Sequence, residues 1–454
     1  MKRTRLVLLL LVVGLAAWGT WGLVYLGPVP SLALATDREA VGLPGTAVTG
    51  NVEIPRGGAD RVVLEAVQGD RSAVLAERSL DPPPPWRAWE RVPASTVRLE
   101  TRLAKGKPEW LREGKVTLRL VAFRRHGMLR NPEPVVLEKT LAVRFRPPRI
   151  DLLSTRHYVR QGGAGAVVFR VGPAAVRSGV RVGEVEIPSH PLPGGGEGER
   201  FCLFGVPWNV DDPAAIRLFA EDAGGNRSER AFVDHFRRHP PRRDTIRLSD
   251  RFLERVVPAI ASRTPGFDAS GSLLEQYLRI NGELRRANRA RIAELSRRSE
   301  EAFLWRGRFL QLPNSARRAG YADDRTYLYR GRKVDRQVHL GLDLASVARA
   351  PVPAANSGKV LWADWLGIYG NVVILDHGYG LLSLYAHLSS IDVKPGQEVA
   401  KGEILGRTGA TGLAGGDHLH LGIFAGGVAV DPIEWFDARW IRNNLADKLP
   451  LPTE

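Results

Sequence analysis

From residue 46 onward the chain falls into short runs that alternate apolar with polar residues or stay apolar, each ended by a cluster of turn-forming residues. TAVTGNVEI (46–54), RVVLEAV (61–67), STVRLETRL (95–103), KVTLRLVAF (115–123) and VVLEKTLAVRF (135–145) come first. A period of two sends alternate side chains to opposite faces of a strand, a pattern that no helix can bury along one stripe. Short strands at this spacing predict a β-sandwich over 31–146. The pattern restarts after RPP (146–148) with AVVFRV (166–171), VRVGEVEI (180–187), RFCLFGV (200–206) and AIRLFAED (215–222), ending on the hairpin-turn sequence DAGGN (222–226). A second β domain is therefore expected over 147–236.

Residues 245–304 change period. Ser249 and Asp250 can cap a helix carrying Phe252, Leu253, Val256, Val257 and Ile260, with Pro258 placed to kink or end it. A second apolar stripe runs through Leu273, Leu274, Tyr277 and Leu278. A third, from Leu284 to Phe303, sets Arg285, Arg286, Arg289, Arg291, Arg297 and Arg298 on solvated faces. This reads as a helical linker whose helices pack on one another or on the domain that follows. From 305 to 440 strand-like runs return, including KVLWADW (359–365), NVVILDH (371–377), LLSLYAH (381–387) and LHLGIFAGGVAV (419–430), and a tail occupies 441–454.

Leu6 to Leu26 holds no charged residue and follows Lys2, Arg3 and Arg5. At about 1.5 Å per residue, a helix of that length matches a ~30 Å hydrocarbon core. Residues 1–30 are accordingly expected to anchor the chain in the cytoplasmic (inner) membrane, N-terminus inside and the bulk in the periplasm or outside the cell. Ala33-Leu34-Ala35 offers a cleaved signal peptide as the alternative. The single cysteine, Cys202, rules out an intramolecular disulfide. A net charge of +16 suits an anionic partner such as lipid or cell-wall polymer, and no nucleic-acid module accompanies it.

Five of the ten histidines fall between 339 and 420, in a stretch that also carries Asp343. In DHLHLGIF (417–424) the alternation places His418 and His420 on one strand face. In HLGLD (339–343) an imidazole and a carboxylate stand four residues apart, and Gly341 permits a bend that could bring them to one ion. LYAHL (384–388) adds His387. Two imidazoles and one carboxylate, with a position left for water, make a catalytic zinc arrangement, and a thiolate site is excluded because Cys202 is distant in sequence. His377, beside GYG (378–380), reads as a hairpin residue. His126, His157, His190, His235 and His239 are scattered and read as solvated or locally satisfied.

The stretch 336–436 resembles the lysostaphin/LytM family of zinc metallopeptidases, which cut peptide cross-links in bacterial cell walls. The resemblance rests on H-x-G-x-D (339–343), YGNVVILDHGYG (369–380), YAHLS (385–389), VKPGQEVAKGEILGRTGATG (393–412) and H-L-H (418–420). It implies His339, Asp343 and His420 as Zn2+ ligands and His387 and His418 as the catalytic pair that handles protons. The family often has an aromatic residue and then Glu after H-L-H, where this chain has Leu421 and Gly422. The DAGGN ending resembles bacterial immunoglobulin-like domains. The fold expected is thus mainly β: two N-terminal immunoglobulin-like β-sandwich domains, a short helical linker and a C-terminal all-β LytM-type peptidase domain. The expected function is that of a membrane-anchored, exported zinc endopeptidase acting on the peptide stems or cross-links of peptidoglycan, with cell-envelope proteins as further partners. The alternative is a non-catalytic envelope regulator that activates a separate hydrolase. Degenerate members of the family, which have typically lost zinc ligands, work in that way.

Overall fold

The alternating runs are strands, and the protein is mainly β. The computed structural model describes residues 2–24, 28–81, 90, 92–125, 132–239 and 242–452, so His126 and Leu26 lie outside the described residues. Helix α1 spans Lys2–Val24. Its apolar side chains from Leu6 to Trp18 stand exposed, and among the described residues no helix is long and apolar enough to cross a membrane.

The chain forms two compact units. The first runs to Pro148 and takes in residues 174–176 and 221–228. Thr46–Ile54 lies between Ser31–Thr36 and Ser95–Leu103 in a three-stranded antiparallel sheet. A five-stranded sheet holds Ala40–Val41, Val135–Val143, Gly114–Arg124, Ala59–Gln68 and Arg71–Ser79 in that order. Val48 and Val52 of the first sheet and Leu64, Leu118 and Leu120 of the second share one apolar core, as the period of two requires. The DAGGN turn closes through Asp222, whose carboxylate accepts from the backbone N–H groups of Gly224 and Asn226.

The second unit contains the rest of the chain. At its centre is an antiparallel sheet in the order Ala316–Ala319, Leu342–Ala345, Leu419–Ala425, Leu381–Leu388, Asn371–Asp376, Gly358–Trp365 and Glu398–Val399. Val428–Val430 pairs back onto Leu419–Ala425. The middle strands are covered on both faces, so Leu381–Leu388 and Leu419–Ala425 are buried at every position.

One face of this sheet, with Leu421, Ile423, Ala425 and Val430, shares a core with Ala164, Ala166, Val168, Phe201 and Leu203. The strands read as a second β domain therefore complete the core of the C-terminal sheet. Arg160 ties the two at Asp431 (2.7 Å) and Glu434 (3.2 Å).

The other face, with Val372, Ile374, Leu382, Leu384, Ala386 and Phe424, lies under the helical segment. Helix α2 (Asp250–Ala261) is capped by Ser249, accommodates Pro258 and buries Leu253, Val256, Val257 and Ile260. Helix α3 (Leu273–Arg279) opens on a Ser272/Glu275 capping box. A π turn over Ile280–Leu284 leads into α4 (Arg285–Ser296). Immediately before α2, Arg243–Leu248 forms a parallel strand beside Asp324–Tyr329. The helical segment read as a linker packs on the domain that follows, one of the two placements expected for it, and so belongs to the C-terminal unit.

Candidate metal centre

Three neighbouring strands converge on one point. Asp343 on Leu342–Ala345 pairs with His420 on Leu419–Ala425, and His420 pairs in turn with Ala386 on Leu381–Leu388. His339 precedes the Asp343 strand, and its backbone N–H donates to the Asp323 carbonyl. His339 Nε2 lies 3.0 Å from Asp343 Oδ1 and 3.0 Å from His420 Nδ1, and His420 Nδ1 lies 2.9 Å from Asp343 Oδ1. Gly341 shapes this triangle in a way its sequence position did not reveal. A Cβ there would fall 2.6 Å from the His420 ring, so the glycine supplies room for the imidazole rather than a left-handed bend.

The tautomers say what the triangle is for. His339 Nδ1 donates to the Gly320 carbonyl (2.7 Å), which leaves Nε2 as a lone pair in the neutral ring. That lone pair faces a carboxylate oxygen, an acceptor against an acceptor. A single proton on His420 can satisfy only part of such a set, whereas one cation satisfies all three atoms. One imidazole with its lone pair turned inward, a second whose Nδ1 can take the same tautomer, and one carboxylate fit zinc. Asp343 Oδ2 is occupied by Arg325 Nη2 (2.9 Å), which leaves Oδ1 to the centre. Arg325 escaped the sequence reading, since one arginine in a strongly basic chain carries no signal of its own. Burial pushes the Asp343 carboxyl up, but His339, His418 and His420, when their rings carry protons toward it, pull harder and hold it well below the usual carboxylate range.

His418 and His387 stand beside the triangle. His418 Nδ1 donates to the Gly416 carbonyl (2.8 Å), and its Nε2 lies 3.6 Å from Asp343 Oδ1. His387 Nδ1 donates to the Thr411 carbonyl (2.8 Å). The His387 ring is 4.9 Å from that of His418 and 5.8 Å from that of His420. Simple alternation from Ala386, which shares the His420 face, would turn His387 to the opposite side. A register shift in the pairing of Asn371–Asp376 with Leu381–Leu388, together with φ of +64° at His387, re-aims the ring. Burial and the neighbouring His418 and His420 push His387 well below its ordinary value. Burial also lowers His418, but its contact with Asp343 outweighs that and leaves it raised.

His377 is a buried core residue: Nδ1 donates to the Ser357 carbonyl, and Nε2 pairs with Ser383 Oγ, both at 2.7 Å. Among the scattered histidines, His157 is buried with Nε2 2.8 Å from Ser154 Oγ, and His190 lies 3.6 Å from Glu301.

With this geometry in place, the sequence profile of one peptidase family matches residues 337–432. Residues 337–432 form a Peptidase family M23 domain. Over 97 residues the chain is 37% identical to the DD-carboxypeptidase/endopeptidase Mpg of Neisseria meningitidis serogroup B, which covers 21% of this chain and 22% of that protein. Over 95 residues it is 36% identical to the murein hydrolase activator EnvC of Escherichia coli, covering 21% of this chain and 23% of EnvC. The match thus spans about a fifth of each relative. Among solved structures, the catalytic domain of lysostaphin from Staphylococcus simulans is similar at 31% identity, with a TM-score of 0.24, covering 28% of this chain and 94% of that one.

Proposed function

We propose that this M23 protein is a zinc endopeptidase that hydrolyses peptide bonds in the stems or cross-links of peptidoglycan. The observation that carries the reading is the meeting of His339 Nε2, Asp343 Oδ1 and His420 Nδ1 within 3.0 Å, open to a cleft of about 670 Å3 that His387 and His418 also line. A zinc ion held there would polarise a peptide carbonyl and acidify a water molecule.

The chain's own groups supply the rest. The Gly320 carbonyl and Arg325 orient two of the donors. The Thr411 carbonyl, by taking the Nδ1–H of His387, leaves Nε2 as a base in a ring that burial keeps neutral. His387 accepts the water's proton. His418, held more readily protonated beside Asp343, stabilises the oxyanion and protonates the leaving amine.

A place at the cytoplasmic membrane is proposed from the uncharged stretch Leu6 to Leu26 of the sequence, not from α1 over its described residues, which is not long and apolar enough to cross; the M23 domain would lie on the outer side, with peptidoglycan. A second reading, a non-catalytic activator, is favoured by the similarity to EnvC. A domain that only binds a partner has no need of inward-facing imidazole nitrogens flanked by two further histidines.

The deciding experiment measures zinc content and cleavage of cross-linked peptidoglycan by the full chain. About one zinc per chain with release of cleaved peptides is expected. A chain that carries zinc and stimulates a separate hydrolase without cutting peptidoglycan itself would establish the activator instead.

A further inference from the structure

The metal centre occupies one part of its cleft. The cleft also extends to the strand Arg243–Leu248, the first turns of α2, and Tyr277 and Arg285 from the other helices. Five arginines line it, Arg247, Arg251, Arg255, Arg285 and Arg325, against one carboxylate, Asp343. Arg325 is engaged by that carboxylate, with Asp244 at 4.0 Å. Arg255 donates to the Ala414 carbonyl (3.0 Å), and Arg285 to the carbonyl and side-chain oxygens of Asn281 (3.1 Å and 2.5 Å). Those acceptors are neutral and leave both charges in place. Asp250, at the start of α2, is taken by Tyr329 and Arg330.

The side chains of Arg247 and Arg251 are exposed and have no hydrogen bond or ion pair among the described residues. Much of the remaining lining is apolar or aromatic, with Phe252, Tyr327 and Ile368 among it. Low-dielectric walls carrying one sign of charge focus the field on whatever enters. Guanidinium groups without partners match a planar carboxylate with paired N–H donors.

We propose that this arginine-lined wall, with Arg247 and Arg251 as its free guanidinium groups, is a subsite for a carboxylate of the peptide substrate. The cleft then selects acidic peptides over the same peptides with their carboxylates amidated. The proposal rests on the endopeptidase reading and adds what the substrate must carry.

The test uses the zinc-loaded full chain and one cross-linked muropeptide in two forms, with free side-chain carboxylates and with those carboxylates converted to amides. Each form is followed by fluorescence anisotropy of a labelled copy and by cleavage. Binding of the acid form about 10- to 100-fold tighter than the amide is expected for a charge-assisted contact. In the Arg247→Gln/Arg251→Gln double variant the acid-to-amide ratio should fall close to one while zinc content stays at the wild-type level. Equal binding of the two forms by the wild type, or a preference that survives the double substitution, would overturn the subsite. A wild type that prefers the acid form yet cleaves neither would retain the subsite and remove the endopeptidase reading instead.

Discussion

Gly341 shows how much a single residue decides at this centre. The space its missing Cβ leaves is filled by the His420 ring, so Gly341→Ala should push that imidazole away from Asp343. Zinc affinity about 10–100-fold weaker, with the fold retained, is the expected outcome, by analogy with groups that only orient a ligand. Competition with a chelator measures it, and unchanged affinity would count against the steric argument. His339→Ala and Asp343→Ala should remove metal and activity together. His387→Ala and His418→Ala should keep zinc in metal analysis yet lose about 10²–10⁴-fold in turnover.

His377 provides a pH signature separate from catalysis. Burial lowers its pKa from 6.5 to about 4, so between those values the unfolded chain binds the proton that the folded chain refuses. Its contribution is complete above pH 6.5 and is lost as pH falls towards 4, by about 3 kcal/mol in all. Denaturant midpoints of the C-terminal unit should therefore fall across that interval, and less so in His377→Gln.

Among the elements, the helices do more than link. Their caps, apolar stripes and breaks are readable in the sequence, because Ser249, Ser272, Glu275 and the spaced aliphatic residues act locally. What the stripes cover is not local. Val372, Ile374, Leu382, Leu384 and Phe424 on the central sheet pack in the same core as Leu253, Val257, Ile260 and Ile292. A chain lacking 249–303 should aggregate or bind a hydrophobic dye strongly rather than yield a free peptidase domain. A soluble, cooperatively folding deletion product would show that the helices are dispensable. Ser249→Ala should cost about 1 kcal/mol in the same unit, the usual worth of a side-chain cap.

At the scale of the whole molecule, the M23 domain folds with the strands that precede the helices. Phe201 is fully buried, its ring 4.8 Å from that of Tyr379 and 5.6 Å from that of Phe303. Phe201→Ala should destabilise the C-terminal unit by about 3–5 kcal/mol. Calorimetry should show the M23 transition moving with it, although the substitution lies far outside 337–432. An unmoved M23 transition would make the strands around 164–205 independent.

Period-two alternation, turn residues and helix caps act over a few residues, so the mainly β class and most strands were legible in the chain. His418 and His420, two apart on a strand, were placed on one face by the same logic, and the spaced motifs carried the resemblance to the peptidase family. Three features depended on contacts between distant segments. The register shift that turns His387 into the cleft is set by pairing with another strand. The role of Gly341 is set by the ring of a histidine on a neighbouring strand. The burial of the helices and of Phe201 is set by which apolar face meets which. A sequence states that a face is apolar; only the packed structure determines its partner, because apolar attraction is not directional and shape selects among the available surfaces.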